Sequence, residues 1–565
     1  MQKHYLNMKH KISLLLIILL SCQAFAQIDK KAVQSLVRIS TTDPTGKAIG
    51  QTTGFAVASG ESIEIVSPYS PFSHAAKAVV SDYKGKSSLA HRITGANDLY
   101  DVVTFTLDHS NLPPLAIAAD KLSVGSRAYI LQPNGKGKAQ TTEVTIAEAS
   151  EHSGLTYYTI LRASNADLVG CPLLNQSGQV VGVVQRSPAK EADKTFAIGI
   201  EFKQALQIAT MSAADPSLQS IYIPKQLPTE RDQASSYLYL LTKNTEDTTS
   251  YLANLGDFIE KFPEDFYGYT ERAAYYIATS QYALAEADYD KALEACTEKA
   301  DVHHSMSIAL YNLNQKASYK TYKDWDLNRA LSETDQAYAL NPTPLFLMQR
   351  GKCLYALRRY DEAAATYAEI NGTRFRSSEN LFCQSRALEM AGGDSTQVLA
   401  LLDSAVARFI RPYRPDAAPY LLFSANQHNR YGYYKEAALL YMEYESLVGS
   451  QSLSDVFFYN KEQAELKARL YPQALNDIEK AISLKPQEYV YQIEKALIET
   501  RTGHFEEAIY TAKQAQRLSP DDPDSYKLIG ISLSELGRKD EARQNLQRAY
   551  ELGDAEALDW LNNMK

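Results

Sequence analysis

Ala166–Val184 reads ADLVGCPLLNQSGQVVGVV. Its second half has the pattern of a strand, a turn and a strand: Pro172-Leu173-Leu174, the polar Asn175-Gln176-Ser177-Gly178, then an apolar run, Val180–Val184, broken only by Gly182. The same alternation extends outward. From Ala32 to about Phe202, short β-rich runs alternate with Gly, Asn, Asp and Ser turns, as an all-β barrel domain requires. Strands are predicted over Val33–Ile39, Asp101–Leu107, Ala128–Gln132, Thr142–Ile146, Tyr157–Leu161 and Val180–Gln185. A hairpin is predicted to join Gly54–Val57 to Ile63–Val66 across Ser59-Gly60.

The stretch PLLNQSGQVVGVV resembles the segment that follows the nucleophile in trypsin-like serine peptidases. The whole span resembles their two-barrel fold, in the form found in bacterial envelope peptidases. Aligning on Pro172 lays Asp167, Leu168, Val169, Gly170 and Cys171 over that family's Gly-Asn-Ser-Gly-Gly, so the resemblance implies Val169 at the nucleophile position. Gly54-Phe55 and Ile65–Ser70 fall on the Gly-Phe strand and the Val-Thr-x-x-His that follows it, which puts Ser70 at the general-base position. Asp101-Val102-Val103 falls on Asp-Leu-Ala, making Asp101 the orienting acid. A valine has no oxygen to attack a carbonyl, and a serine hydroxyl does not take up a proton near neutral pH. Loss of the serine or the histidine alone costs about 10⁶ in turnover in a comparable triad. The resemblance therefore implies a peptidase frame without its chemistry, with oxyanion amides falling on Asp167 and Val169 and with Asp101 reduced to a turn carboxylate bonded to nearby backbone or to Ser70. The rival enzyme reading needs a displaced triad of His74 with Ser164 or Ser177.

Past a short helix expected over Phe202–Met211, Pro216, Pro224 and Pro228 mark 212–230 as a semi-stiff linker. From Arg231 the pattern turns helical and repetitive. Ala474, Ala508 and Ala542 stand 34 residues apart, as do Pro486 and Pro520, and each alanine opens an Ala-x3-apolar-x2-Ala motif also seen at Ala285. Ala330, Ala363, Val398 and Ala437 fill the middle of the array. An insertion around Gln315–Lys323 stretches one interval, and a last helix over Ala555–Met564 offers Trp560 as a plug. This period and motif resemble the tetratricopeptide repeat. The resemblance implies eight or nine helix hairpins in a solenoid whose first helices line a concave groove for a partner's segment. Its repeat positions map that groove onto Tyr267, Met348, Lys352, Tyr355, Arg501 and Lys527, without a recurring Lys/Asn clamp for a terminal carboxylate.

The fold class expected is thus multidomain: an all-β trypsin-like double barrel over 27–211, the linker, and an all-α tetratricopeptide solenoid over 231–565. Residues 1–26 read as an export signal, with Lys9 and Lys11 before the apolar Ile12–Leu20 and Ala24-Phe25-Ala26 as a cleavage site. Leu19-Leu20-Ser21-Cys22 also resembles a lipobox, which would anchor the chain by lipid at Cys22. A net charge of −9 argues against a nucleic-acid partner. The five scattered cysteines show no metal spacing, and no cofactor is expected. Asn134–Lys138 is glycine- and lysine-rich but lacks the spacing and the Ser/Thr of a phosphate loop, and His303-His304 cannot face one ligand together on a helix. The function expected is an exported protein- or peptide-binding scaffold of a Gram-negative envelope, periplasmic or outer-membrane associated. The alternatives are an active envelope peptidase and a cell-wall glycan-binding module.

Overall fold

The computed structural model describes residues 32–564, apart from 61, 110, 136–137 and 245–247. The expected export signal and Cys22 lie outside the described residues. The chain forms two compact units, one running to Glu298 and the other from Lys299.

Two closed antiparallel barrels build most of the first unit. The first contains β1 (Leu36–Thr42), β2 (Ala48–Ser59), β3 (Ser62–Ser67), β4 (Lys77–Ser81), β5 (Ser87–Asn97) and β6 (Val102–Leu107), in the order β1-β2-β3-β6-β5-β4. The second contains β7 (Arg127–Pro133), β8 (Ala139–His152), β9 (Leu155–Ile160), β10 (Pro172–Leu174), β11 (Val180–Gln185) and β12 (Thr195–Gly199), and repeats that order. β11 explains the continuous Val180–Val184 run, because both of its faces are covered. Val181 and Val184 join the second barrel's core with Ile130, Tyr158 and Leu173, while Val180 and Val183 join an apolar seam with Phe55, Val66, Leu115 and Phe202. Asn175 sets the turn before it, its Oδ1 accepting the amides of Ser177 at 3.0 Å and Gln179 at 2.9 Å.

The predicted hairpin is present, with Phe55 opposite Val66 and Ser59 opposite Ser62. The strand expected over Thr142–Ile146 is much longer. β8 pairs with β7 along one half and with β9 along the other, and its exposed Glu148 and Glu151 hid the second half from an apolar-pattern reading. The helix expected over Phe202–Met211 shrinks to Phe202–Ala205, followed by a 3-10 turn at Thr210–Ala214.

The stretch expected to be a linker, 212–230, is packed instead. Leu218, Ile221 and Ile223 enter the first barrel's core beside Phe72, Ile93 and Phe105. Its backbone pairs with β5 through Ile93 N to Pro224 O and Gln226 N to Ile93 O, both at 2.8 Å, and Tyr222 N donates to Ala75 O at 2.8 Å. Proline lowers the number of amides that need partners, and alternating aliphatic residues fill the barrel's open side. The helices begin at Arg231 as expected, but the compact unit continues through α1 (Arg231–Asn244), α2 (Thr248–Lys261), α3 (Phe266–Ala278) and α4 (Tyr282–Ala295). Ala213 and Leu227 pack with Tyr237, Leu238, Leu255 and Phe258 of the first two helices. Arg92 of β5 forms a two-pronged ion pair with Asp257 at 2.6 and 2.8 Å.

The second unit is a run of helix hairpins: α5 (Lys299–Asn314) with α6 (Leu327–Leu340), α7 (Pro344–Ala356) with α8 (Tyr360–Asn371), and α9 (Ser378–Met390) with α10 (Ser395–Val406). There follow α11 (Ala418–Arg430) with α12 (Tyr434–Val448), α13 (Asp455–Lys467) with α14 (Tyr471–Leu484), α15 (Tyr489–Arg501) with α16 (Phe505–Leu518), and α17 (Pro523–Glu535) with α18 (Lys539–Glu551). α19 (Glu556–Asn563) ends the array. The alanine columns are fully buried, from Ala474, Ile478 and Ala481 to Ala542, Leu546 and Ala549. Small residues let paired helices approach. A Cβ on Gly351 of α7 would stand 2.6 Å from the Tyr367 ring of α8, so that ring needs a glycine opposite it. Pro342, Pro486 and Pro520 each follow the end of a second helix, where they prevent its continuation.

Trp560 is not the plug: it is 38% exposed, and Ala557, Leu561 and Met564 cover the last hairpin against Leu528, Leu533 and Leu546 instead. The buried tryptophan is Trp325, held in the inserted connection between α5 and α6 by an edge contact with Tyr322.

Candidate functional site

The three positions expected from the sequence, Ser70, Asp101 and Val169, lie in loops of the two barrels. β3 ends at Ser67, opposite Val103 of β6, and that register sets Ser70, at the start of a short 3-10 turn, beside Asp101. The Ser70 amide donates to Asp101 Oδ1 at 2.7 Å. Burial pushes the Asp101 carboxyl above its ordinary range, opposed by the Ser70 hydrogen bond and by Arg186. In the second barrel Asn165 Oδ1 accepts the Leu168 amide at 3.1 Å and starts a 3-10 turn that ends at Val169. Gly170 has φ +83°, and a Cβ there would stand 2.2 Å from Thr53 O and 2.8 Å from Pro68 Cδ. Only glycine admits this close approach, which lays the Val169-Gly170 corner against the Pro68–Ser70 loop. The Gln185 amide donates to Tyr100 O and ties β11 to the residue before Asp101. The fold thus gathers Ser70, Asp101 and Val169 into one neighbourhood.

Val169 presents methyl groups, and its amide is engaged by Ala166 O at 3.3 Å. Cys171 is buried, its thiol donates to Asp167 O at 3.3 Å, and burial pushes it up to about 12, so it is held as a neutral thiol. The displaced-triad candidates do not converge. His74 has φ +63°, its amide bonds Ser220 O, and its ring lies 6.4 Å from Tyr222, on the packed 212–230 stretch. Ser164 N bonds Ala192 O, and Ser177 sits in the β10–β11 turn. Among the described residues no hydrogen bond joins His74 to Asp101, Ser164 or Ser177, and no cluster of His, Cys, Asp and Glu is arranged to hold a metal ion.

The six positions mapped on the first helices have different fates. Tyr267, in the first unit, packs edge-on to Phe258 at 5.6 Å and is half-buried. Met348, Lys352 and Tyr355 share one face of α7, and Lys352 Nζ stands 3.8 Å from Glu379 Oε1. Tyr355 accepts a hydrogen bond from Arg386 Nη2 at 3.3 Å. The Arg386 guanidinium also lies over the rings of Tyr355, Phe382 and Phe423 at 5.3, 5.8 and 5.9 Å, linking α7, α9 and α11. Arg386, Phe382 and Phe423 were missed in the sequence, although the i, i+4 spacing of Phe382 and Arg386 was visible. Arg501 is exposed on α15, several hairpins away. Lys527 is not an open groove residue: it pairs with Asp524 at 2.9 Å, Asp554 at 2.6 Å and Glu556 at 3.3 Å, and so ties α17 to the closing helix.

Residues 326–373 and 461–523 match a family model described as the tetratricopeptide repeat, so the chain contains such repeats. Solved structures similar to the chain include the active form of the Rv3671c protease from M. tuberculosis, 21% identical over 36% of this chain and 86% of that one, with a TM-score of 0.29. An inactive form of that protease is 22% identical over 32% and 90%, with a TM-score of 0.27. A serine endoprotease from Yersinia pestis is 18% identical over 34% and 66%, with a TM-score of 0.28. No curated protein matches.

Proposed function

We propose that this chain is an exported, non-catalytic interaction protein of the bacterial envelope, a peptidase frame joined to repeats that hold a protein or peptide partner. One observation carries the non-catalytic half. The general-base position is Ser70, whose amide Asp101 holds, and the nucleophile position is Val169, whose own amide turns to Ala166 O. A triad needs an imidazole between acid and nucleophile, and an oxyanion hole needs free amides.

Tetratricopeptide repeats suggest protein–protein interaction, and the binding half is supported by the open face of α7, α9 and α11. There the exposed Arg386 guanidinium lies within 5.3–5.9 Å of the ring centroids of Tyr355, Phe382 and Phe423. Export is supported by Lys9–Ala26, and a lipid anchor at Cys22 by Leu19–Cys22. No helix among the described residues is long and apolar enough to cross a membrane.

The test is exposure of the purified protein to a fluorophosphonate probe, alongside a casein hydrolysis assay. No labelling and no hydrolysis above background are expected. Stoichiometric labelling of any serine within 32–211 overturns the non-catalytic reading.

A further inference from the structure

The 34-residue period makes one hairpin a template for the next. The pair α13–α14 maps onto α15–α16 at that offset, so Lys461, Glu465, Asp477 and Lys480 correspond to Lys495, Glu499, Thr511 and Gln514. Glu445, on the preceding second helix, corresponds to Glu479. In the first hairpin two ammonium groups neutralise a nest of carboxylates. Lys461 Nζ lies 2.5 Å from Glu445 Oε2, 2.6 Å from Asp477 Oδ2 and 3.7 Å from Glu465 Oε1. Lys480 Nζ lies 3.0 Å from Glu445 Oε1 and 2.7 Å from Asp477 Oδ1.

In the next hairpin the first cation is kept, while the second and its partner Asp477 are replaced by Gln514 and the neutral Thr511. Lys495 Nζ stands 2.7 Å from Glu479 Oε1 and 3.8 Å from Glu499 Oε1, but Gln514 occupies the position of Lys480. At this place α14, α15 and α16 line an open cavity of about 790 Å³. Glu499 lines it with a side chain only 8% exposed, and its Oε2 has no hydrogen-bond partner among the described residues. Burial holds that carboxyl above its ordinary range. Glu506 and Glu507 of α16 add two carboxylates to the lining, where the preceding hairpin has Pro472 and Gln473. Arg538 approaches Glu506 only to 3.9 Å and is itself paired with Glu541 at 2.7 Å. The cavity therefore carries more carboxylate than Lys495 can match. Tyr510, 67% exposed, gives it an aromatic wall.

We propose that this cavity binds a cationic side chain, a lysine or arginine presented by a protein partner, whose charged head takes the place that Lys480 fills one hairpin earlier. A buried carboxylate oxygen without a hydrogen-bond donor, as Glu499 Oε2 is beside the Lys495 ion pair, is costly, and a cation that arrives with donors lowers that cost. The aromatic wall favours the same kind of guest. The site lies between successive second helices and does not depend on the α7–α9–α11 face, so either can fail while the other stands.

The experiment uses the full chain and a fluorescein-labelled peptide of alternating lysine and glycine, read by anisotropy, with a glutamate–glycine peptide as control. Saturable binding of the lysine peptide is expected, at least about tenfold tighter than the control. Gln514→Lys supplies the missing cation from within the chain and is expected to weaken binding by about tenfold or more, with the helical melting temperature unchanged or raised. The exposed pair Glu506→Gln and Glu507→Gln should weaken it as well, whereas Tyr550→Ala, exposed on α18, should not. Absence of saturable binding to the wild type, or binding that Gln514→Lys leaves intact, overturns the proposal.

Discussion

The amide of Ser70 donates to Oδ1 of Asp101 across 2.7 Å, so this carboxylate grips the backbone of the loop that follows β3. The aspartate thereby fixes the short 3-10 turn that starts at Ser70. Its backbone is itself left-handed, with φ +46°, a conformation that Asp and Asn tolerate better than most residues.

That relationship predicts a graded response. Asp101→Ala removes the acceptor and places a less tolerant residue at positive φ, and should cost about 1–3 kcal/mol of barrel stability. Asp101→Asn keeps an oxygen acceptor and the backbone preference and should cost much less. Thermal melts of both variants decide it, and equal losses would show that the Ser70 contact is incidental.

Export predicts a processed N-terminus. The mature chain should begin at Gln27, or at a lipid-modified Cys22 if the lipobox is used. Mass spectrometry of the N-terminal peptide reads this directly, and Cys22→Ala should release the protein from the membrane fraction only in the second case. An intact Met1 on the bulk of the protein would contradict both.

The repeats separate stability from binding. Ala508 is fully buried between helices, so Ala508→Leu should overpack the hairpin and cost about 1–3 kcal/mol. Arg386 is exposed on its aromatic rings, so Arg386→Ala should lower recovery of partners crosslinked in intact cells while changing the melting temperature little. The reverse pattern would mean that this face only holds the hairpins together.

Glu462 predicts a pH dependence. It is fully buried on α13, Gln463 donates to its Oε2 at 2.9 Å, and its Oε1 has no hydrogen-bond partner among the described residues. Burial first, then Glu494 and Glu465 against a weak pull from Lys467, pushes its carboxyl up to about 8. The folded state therefore binds this proton more tightly than the unfolded chain does. The associated stability is full below an unfolded value near 4.5 and is lost as pH rises through about 8. Glu462→Gln should match the wild type near pH 5 and melt above it near pH 8. Two parallel pH profiles would place the loss elsewhere.

Sequence alone determined the features that recur at short, regular intervals. Turn residues between β-rich runs marked the barrels, the apolar run Val180–Val184 marked a strand, and the 34-residue alanine and proline columns marked the hairpins. These signals are local because a buried strand and an alanine seam each constrain neighbouring residues directly. Tertiary structure alone decided that 212–230 packs into the core of the first barrel, that Lys527 is consumed by three carboxylates, and that Arg386 meets rings from three hairpins. It also decided that Gln514 lines a groove with Glu499, Glu506 and Glu507, whereas Lys480 is paired with Glu445 and Asp477. Each of these joins residues far apart in the chain, and their contact depends on barrel closure and helix stacking. Composition and period carry no record of that geometry.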